Sequence, residues 1–168
     1  MDRPVVSVAL ALACALAVLG GCGDDGGGTA TAGGCGPERR EALDPASSVH
    51  VLSGPEPEYR SDPPTSGPHA PGPVLSGVRD EPLARPAQVG DLESGGVLLQ
   101  FLPGLDPADE AALAALAGEG VAVAPNPDLP SPVVATAWLT KQECDSVDID
   151  ALQAFVDAHV GDGPGSDG

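Results

Sequence analysis

The second half of the chain alternates apolar runs with amphipathic segments. Residues 95–102 are almost continuously apolar, which is typical of a buried central strand. Two shorter apolar runs, residues 121–124 and 132–139, predict further strands, the first of them stopped by Pro125. The pattern therefore predicts three strands in this half of the chain.

Two helices are predicted among these strands. Asp106 before Pro107 is the pattern of an N-cap followed by proline at the first helical position, and residues 108–117 continue that helix. A last helix begins after the N-cap Asp148. Its inner face carries, at helical spacing, Leu152, Phe155, Val156 and His159. The β-α-β-β-α order predicts an α+β fold with two helices packed on a small sheet, and it allows a ferredoxin-like arrangement.

The first half of the chain is less regular. Residues 37–43 predict a helical turn, and residues 48–52, which alternate apolar and polar side chains, predict a short strand. From Ser53 to Pro86 the chain is crowded with proline and glycine, so a long loop is predicted. A loop of this length in a compact domain is usually functional or disordered.

Inside this loop lies a heptad that we expect to be rigid. It consists of Pro63, Pro64, Thr65, Ser66, Gly67, Pro68 and His69. The prolines fix φ and push the residues before them toward extended conformations, while Gly67 is free to adopt a positive φ. The loop should therefore present the imidazole of His69 at a defined place, near the segment from Asp91 to Val97 that leads into the central strand.

Residues 1–21 are predicted to be a bacterial lipoprotein signal. Arg3 precedes an apolar stretch, residues 5–19, that is shorter than the roughly 20 residues needed to span a bilayer. Residues 19–22 look like a lipobox, so we expect acyl chains on Cys22 to anchor the protein at the extracytoplasmic face of the cell membrane. An ordinary secretory signal with a cut near Cys22 is the alternative.

The rest of the chain divides into three predicted segments. A Gly-rich tether covers residues 22–34 and is expected to be flexible. Residues 35–160 have enough apolar side chains for a single domain with one core. The polar tail, residues 161–168, is expected to be disordered.

Two of the four cysteines are expected to be used in export and lipidation, and the other two remain in the folded domain. Cys14 leaves with the signal and Cys22 is acylated, so Cys35 and Cys144 remain in the mature protein. In an oxidising compartment an even pair is expected to form a disulfide, which would tie the start of the domain to the approach of its last helix. Two free thiols are the alternative.

The negative net charge limits the kinds of molecule that the protein is expected to bind. Seven lysines and arginines face 25 aspartates and glutamates, a formal net charge of −18. Such a surface repels phosphate backbones, so nucleic-acid binding is not expected, and it does not favour docking on anionic lipid through protein charges. Membrane attachment therefore depends on Cys22, and the other expected partner is an unidentified protein or small-molecule ligand.

The motifs give the chain a family resemblance. They are His50-Val51, Tyr59 ahead of the heptad, Leu92-Glu93 before Gly95-Gly96-Val97, and Ala137-Trp138 followed by Cys144 and Asp148. Over most of residues 35–160 the chain resembles DUF3105, a domain of unknown function found in exported, often lipid-anchored bacterial proteins. The resemblance implies an extracytoplasmic domain with no established activity. Family members usually show His-x-Leu-Glu-His-Gly where this chain has Gly90 and Ser94 in place of the two histidines.

The resemblance also implies a candidate metal site. In the family pattern, four histidines and a glutamate could surround zinc or copper, and here the remaining ligands are His50, His69 and Glu93. The alternative is that His69 hydrogen-bonds a loop carbonyl, His50 packs beside it and Glu93 holds backbone amides. The sequence favours this alternative, because proximity is assumed and two imidazoles are absent.

Nucleophilic catalysis is a third hypothesis. Ser66 and Ser94 lie in glycine-flanked loops, and His69 is close to Ser66 in sequence. Ser94, however, lacks the glycine two residues earlier that a nucleophile elbow needs. The sequence therefore predicts a binding or interaction module rather than an enzyme, with zinc or copper binding second and hydrolysis third, and it assigns no catalytic residue.

Overall fold

The computed structural model describes residues 34–166. The predicted signal, Cys22, the tether up to residue 33 and the last two residues lie outside the described residues. Within the described range, no helix is long and apolar enough to cross a membrane. In chain order the elements are β1 (Arg39–Arg40), β2 (Gly77–Val78), α1 (Arg85–Glu93), β3 (Val97–Phe101), α2 (Pro107–Ala114), β4 (Val121–Pro125), β5 (Val133–Ala137), β6 (Thr140–Cys144) and α3 (Ile149–His159).

The strands form one mixed sheet in the order β1-β6-β5-β3-β4-β2. β3 pairs parallel with β4 on one side and antiparallel with β5 on the other, and β5 pairs antiparallel with β6. The predicted α+β class is therefore confirmed. The ferredoxin-like arrangement is not confirmed, because β3 and β4 pair directly, whereas a split βαβ unit places another strand between them.

Helices cover both faces of the sheet. Alternate residues of β3 point to opposite faces. On one face Leu99 belongs to a core cluster with Leu113 of α2 and Phe155 of α3. On the other face Leu98 packs with Leu92 of α1. Every residue of β3 is buried, which explains why its sequence is a nearly continuous apolar run.

Both predicted helix starts are confirmed. Oδ1 of Asp106 accepts a hydrogen bond from the amide of Ala108 at 2.9 Å, and Oδ1 of Asp148 accepts one from Ala151 at 3.1 Å. Each cap satisfies a backbone amide that the first turn of a helix leaves without an intrahelical partner. α2 ends earlier than predicted.

The predicted helical turn at residues 37–43 is wrong. Arg39 and Arg40 instead form β1, which pairs antiparallel with β6 at an edge of the sheet. The amide of Gly36 donates to the carbonyl of Glu143 at 2.8 Å, and the side chain of Glu143 pairs with Arg39. Pairing with a strand about a hundred residues away has overridden the local preference of the segment.

The sequence pattern also does not predict α1, β6 or the two-residue strand β2, which lies inside the predicted loop. α1 begins inside the Pro-rich stretch, where Pro86 fits the first turn because no N–H donor is needed there. β6 is polar, and its Lys141 is only 2% exposed because the carboxylate of Glu41 lies 3.2 Å from Nζ. The turn before β6 places Leu139 at a φ of 59°, a left-handed conformation that an apolar pattern does not signal.

The predicted disulfide is present. Cys35 and Cys144 are bonded across a sequence separation of 109 residues. Cys144 ends β6 and is fully buried, and Cys35 packs against the same apolar core. A cross-link over a loop of this length stabilises the fold by about 4–5 kcal/mol in the chain-entropy treatment. It fixes the start of the domain to the sheet just ahead of α3.

Candidate metal centre

The heptad is held rigidly by its backbone and side chains. Thr65 accepts a hydrogen bond at its carbonyl from Leu139 N at 3.1 Å, and its hydroxyl donates to Glu41 Oε2 at 2.7 Å. The hydroxyl of Ser66 accepts from Asp44 N at 3.0 Å. These two side chains are nearly fully buried, so the heptad is part of the domain's interior rather than a surface loop.

An ion pair between the buried Lys141 and the partly buried Glu41 fastens the heptad to the sheet. Glu41 receives hydrogen bonds from Ser61 and Thr65 and lies against Lys141 of β6. Burial acts to raise the pKa of Glu41, but these hydrogen bonds and the Lys141 charge outweigh it, so the pKa is lowered. The carboxylate therefore stays ionised, and the pair holds the loop against β6.

Tyr59 braces the turn of the heptad. Its hydroxyl donates to the carbonyl of Pro68 at 2.7 Å, and burial raises the pKa of Tyr59 to about 12. Its ring lies against Gly67, whose φ is 133° and where an added Cβ would lie 3.0 Å from the ring. Only glycine fits this turn without strain.

The end of the heptad packs closely on α1. The amide of Ala70 donates to the carbonyl of Pro86 at 2.9 Å. Opposite it, a Cβ at Gly90 would lie 2.1 Å from the carbonyl oxygen of Ala70. The loop reaches the helix surface because residue 90 has no side chain, and this approach brings His69 beside the last turn of α1.

His50 reaches the same place through a single β-bridge. The amide of Val51 donates to His69 O at 2.7 Å and the amide of His69 donates to Val49 O at 3.0 Å. The predicted strand at residues 48–52 is thus reduced to one bridge. The His50 and His69 rings meet edge to face, with centroids 4.8 Å apart.

The three residues named as metal ligands from the sequence lie together. Candidate ligand atoms of His50, His69 and Glu93 are all within 4.8 Å of one another. Glu93 is the last residue of α1, and its Oε2 lies 2.6 Å from Nε2 of His69. A turn, a bridge and a helix end therefore direct two imidazoles and a carboxylate to a common point.

The two nitrogens of His69 have different environments. Nδ1 lies 3.1 Å from the carbonyl oxygen of Gly67, an acceptor, so Nδ1 carries a proton and donates it. In the neutral ring Nε2 then holds a lone pair. This nitrogen is buried and makes no hydrogen bond of good geometry, although the Glu93 oxygen is close. A lone pair on Nε2 repels the carboxylate, whereas a proton on Nε2 or a metal ion between the two atoms makes their contact attractive.

The arrangement fits a zinc or copper ion. With metal–ligand bonds of about 2.0 Å, two ligands of a tetrahedral ion lie roughly 3.3 Å apart, so small side-chain rotations close the site. His50 is exposed and free to make such a rotation. Two histidines and a carboxylate leave at least one coordination position for another donor.

Asp91 is a buried acid of α1, two residues before Glu93, that sequence reasoning missed. It is 2% exposed, its Oδ1 accepts from Leu75 N at 2.5 Å, and its Oδ2 has no hydrogen-bond partner in the described part of the chain. Burial raises the pKa of Asp91 to about 6, because the Leu75 amide and the Arg79 charge offset only part of the desolvation. A prediction of α1 from the sequence would have placed Asp91 in a helix, next to the buried Leu92.

The tail that was expected to be disordered packs against this helix end over residues 161–166. The amide of Gly161 donates to Gly95 O at 2.8 Å, and that of Gly165 donates to Glu93 O at 2.9 Å. The second bond satisfies one of the last carbonyls of α1. The tail therefore helps to fix the backbone from which the Glu93 side chain extends.

Comparison with known proteins bears on these same residues. A family model described as "Protein of unknown function (DUF3105)" matches residues 50–167. The match begins at His50, includes the heptad and Glu93, and covers well over half of the chain. No curated protein and no solved structure matches the chain.

Proposed function

The chain belongs to the DUF3105 family, whose description names no activity, and we propose that its domain binds zinc or copper through His50, His69 and Glu93. In this role His69 is the anchored ligand, Glu93 supplies negative charge to the ion, and His50 closes the site from the surface. Imidazole and carboxylate are ordinary ligands of both metals.

One observation carries the proposal. The buried Nε2 of His69 lies 2.6 Å from Oε2 of the partly exposed Glu93, and candidate ligand atoms of these two residues and His50 are all within 4.8 Å of one another. A divalent cation between them would bind both lone pairs and remove their repulsion. Metal-bound histidines commonly donate the other ring N–H to a carbonyl, which is the arrangement of Nδ1 with Gly67.

The other hypotheses have less support. Ser66 accepts a hydrogen bond from Asp44 N inside a buried turn, which is a structural task. Ser94 is the C-cap of α1, and a serine nucleophile would need a base beside its hydroxyl. An ion pair between a protonated His69 and Glu93 would account for their approach without a metal, so the support that favours a metal site is the convergence of His50 on the same point.

We also propose that the domain works outside the cytoplasm, anchored through acyl chains on Cys22. Support comes from the lipobox at residues 19–22 and from the disulfide, which is typical of oxidising compartments. In cell fractionation, Cys22→Ser should move the protein from the membrane to the soluble fraction. Retention of this variant in the membrane would refute the anchor.

Metal analysis of untagged protein tests the proposed function. Protein purified without an affinity tag and exposed to zinc or copper, then freed of excess ion, is expected to retain about one ion per chain. His69→Ala should lose this ion, because the variant removes the anchored ligand. The matched control is His159→Ala, which removes an imidazole that pairs instead with Glu38 at 2.9 Å.

The outcomes separate metal binding from a scaffold role. Loss of the ion in His69→Ala and Glu93→Gln, with retention in His159→Ala, supports the site. Wild-type protein that takes up neither metal, or a His69→Ala variant that binds as much metal as wild type, contradicts it. Circular dichroism of each variant checks that loss of metal does not simply report loss of the fold.

A further inference from the structure

The three ligands differ sharply in how firmly they are held. The side chain of His69 is 1% exposed, and that of Glu93 is 28% exposed. His50 is an exposed residue, and neither of its ring nitrogens makes a hydrogen bond within the described range. One side of the site is therefore fixed and the other side is free to move.

The fixed side is held by several independent contacts. His69 has its Nδ1 on Gly67 O and both backbone groups in the bridge. Glu93 extends from a helix whose final carbonyl accepts from Gly165 N. His69 therefore cannot withdraw from a metal ion without disturbing the heptad, whereas Glu93 is held at its backbone and keeps a partly exposed side chain.

The free side is open to solvent along the neighbouring chain. Val49 is 50% exposed and Leu52 is 82% exposed, so these two side chains near His50 are largely uncovered by the described part of the protein. The backbone bridge places the His50 ring, but the ring itself can rotate about its side-chain bonds at little cost.

We infer, on the basis of the proposed function, that the site is an exchange site in which His50 is the ligand that leaves. An incoming imidazole or thiolate donor binds the open coordination position, and the His50–metal bond then breaks. His69 and Glu93 hold the ion until the incoming donors replace them. The oxidation state of the metal does not change, and a thiol donor releases its proton to water as it binds.

This inference defines the class of partner. A buried structural ion with all its ligands fixed has no route for an incoming donor, whereas here the ion would be reached from the surface beside His50. The expected partner is a carrier or acceptor of the same metal that offers imidazole or thiolate groups. The role that follows is delivery or uptake of metal outside the cell membrane.

Zinc transfer to a coloured chelator tests the inference on the full protein. Zinc-loaded wild type is mixed with the chelator in excess at several concentrations, and the transfer rate is followed by absorbance. We expect the rate to rise in proportion to chelator concentration, since the incoming donor takes part in the exchange. His50→Ala should retain measurable affinity but transfer zinc several-fold faster than wild type.

His69→Ala provides the contrast. The metal affinity of this variant should fall by more than that of His50→Ala. The fall should also exceed the roughly 10–100-fold loss that follows removal of an outer-shell partner of a metal ligand. Leu52→Ser, beside His50 but outside the ligand set, should keep the wild-type affinity. It shows whether a change at the exposed segment alone alters binding.

Two results overturn the exchange mechanism while leaving metal binding intact. One is a transfer rate that does not depend on chelator concentration. The other is equal loss of affinity in His50→Ala and His69→Ala with no faster transfer in His50→Ala. Failure of wild-type protein to bind zinc or copper at all is distinguishable from both, and it removes the proposed function together with this inference.

Discussion

The two faces of the sheet are built from different chemistry. On the face covered by α2 and α3, the buried side chains around Leu99 and Phe155 are apolar. On the face covered by α1, β3 contributes Gln100, which donates to Gln88 of α1 at 3.3 Å and accepts from Asn126 at 2.7 Å. One face is a conventional hydrophobic core, and the other combines a smaller apolar cluster around Leu92 and Leu98 with a layer of buried polar contacts.

Because of this difference, substitutions on the apolar face should change the stability of the fold without changing the candidate site. Apolar cores gain their stability from buried area and tolerate changes of shape that keep the volume. Buried polar groups depend on each individual partner, because losing one leaves the other unsatisfied. Glu93 extends from α1, and His69 is held against the same helix, so the proposed metal centre lies on the face that carries the polar layer.

The largest expected effect is on the apolar face. Phe155→Ala removes a fully buried ring and should lower the free energy of unfolding by about 3–5 kcal/mol, measured by denaturant titration. Leu52→Ala, at an exposed position, should change it by less than about 0.5 kcal/mol. Metal affinity of the folded fraction of Phe155→Ala should equal that of wild type. If Phe155→Ala keeps the wild-type free energy of unfolding but loses metal binding, the two faces do not have these separate roles.

The next effect concerns the buried acid on the polar face. Since the pKa of Asp91 is raised to about 6 in the folded state, the folded protein binds the proton more tightly than the unfolded chain. The stability contributed by this group is present below its unfolded pKa of about 4 and is lost as pH rises through about 6. Above that pH the folded state carries a buried charge.

Asp91→Asn should therefore be more stable than wild type at pH 7–8, by up to about 3 kcal/mol. The asparagine oxygen still accepts from Leu75 N, and no charge is buried. Chemical denaturation of both proteins from pH 4 to pH 8 measures the difference, which should be small at pH 4 and grow through pH 6. A difference that is constant with pH would show that Asp91 does not titrate in this window.

A smaller effect is expected where the heptad meets α1. Gly90→Ala adds a methyl group 2.1 Å from Ala70 O, so it should cost about 1–3 kcal/mol although alanine normally favours a helix. It should also weaken metal binding by displacing His69. Gly72→Ala, where an added Cβ meets nothing within 4 Å, is the control and should change neither quantity. Stabilisation by Gly90→Ala would mean that the loop is not held against the helix.

The apolar face could be predicted from local sequence. The continuous run around Leu99 and the caps Asp106 and Asp148 are each encoded within a few residues, so β3, α2 and α3 were all found. The disulfide followed from counting cysteines that remain after export. These features depend on periodicity and chemistry that neighbouring residues carry.

The polar layer could not be predicted in the same way. α1 combines Pro86 and Gly90 with buried polar residues, so its composition suggests a loop. β6 buries Lys141 only because Glu41, a hundred residues earlier, neutralises it. The heptad and the metal ligands could be named from motifs, but their convergence depends on the contact between Ala70 and Gly90, which no local pattern encodes.

Long-range ¹H–¹⁵N NMR of the histidine rings tests the metal centre most directly. Without metal, His69 is expected to show a protonated Nδ1 and an unprotonated Nε2. Addition of one equivalent of zinc should shift Nε2 of His69 strongly while its Nδ1 stays protonated, and His159 should not respond. A His69 spectrum that is unchanged by zinc, or a His69 protonated on Nε2 rather than Nδ1, would contradict the account.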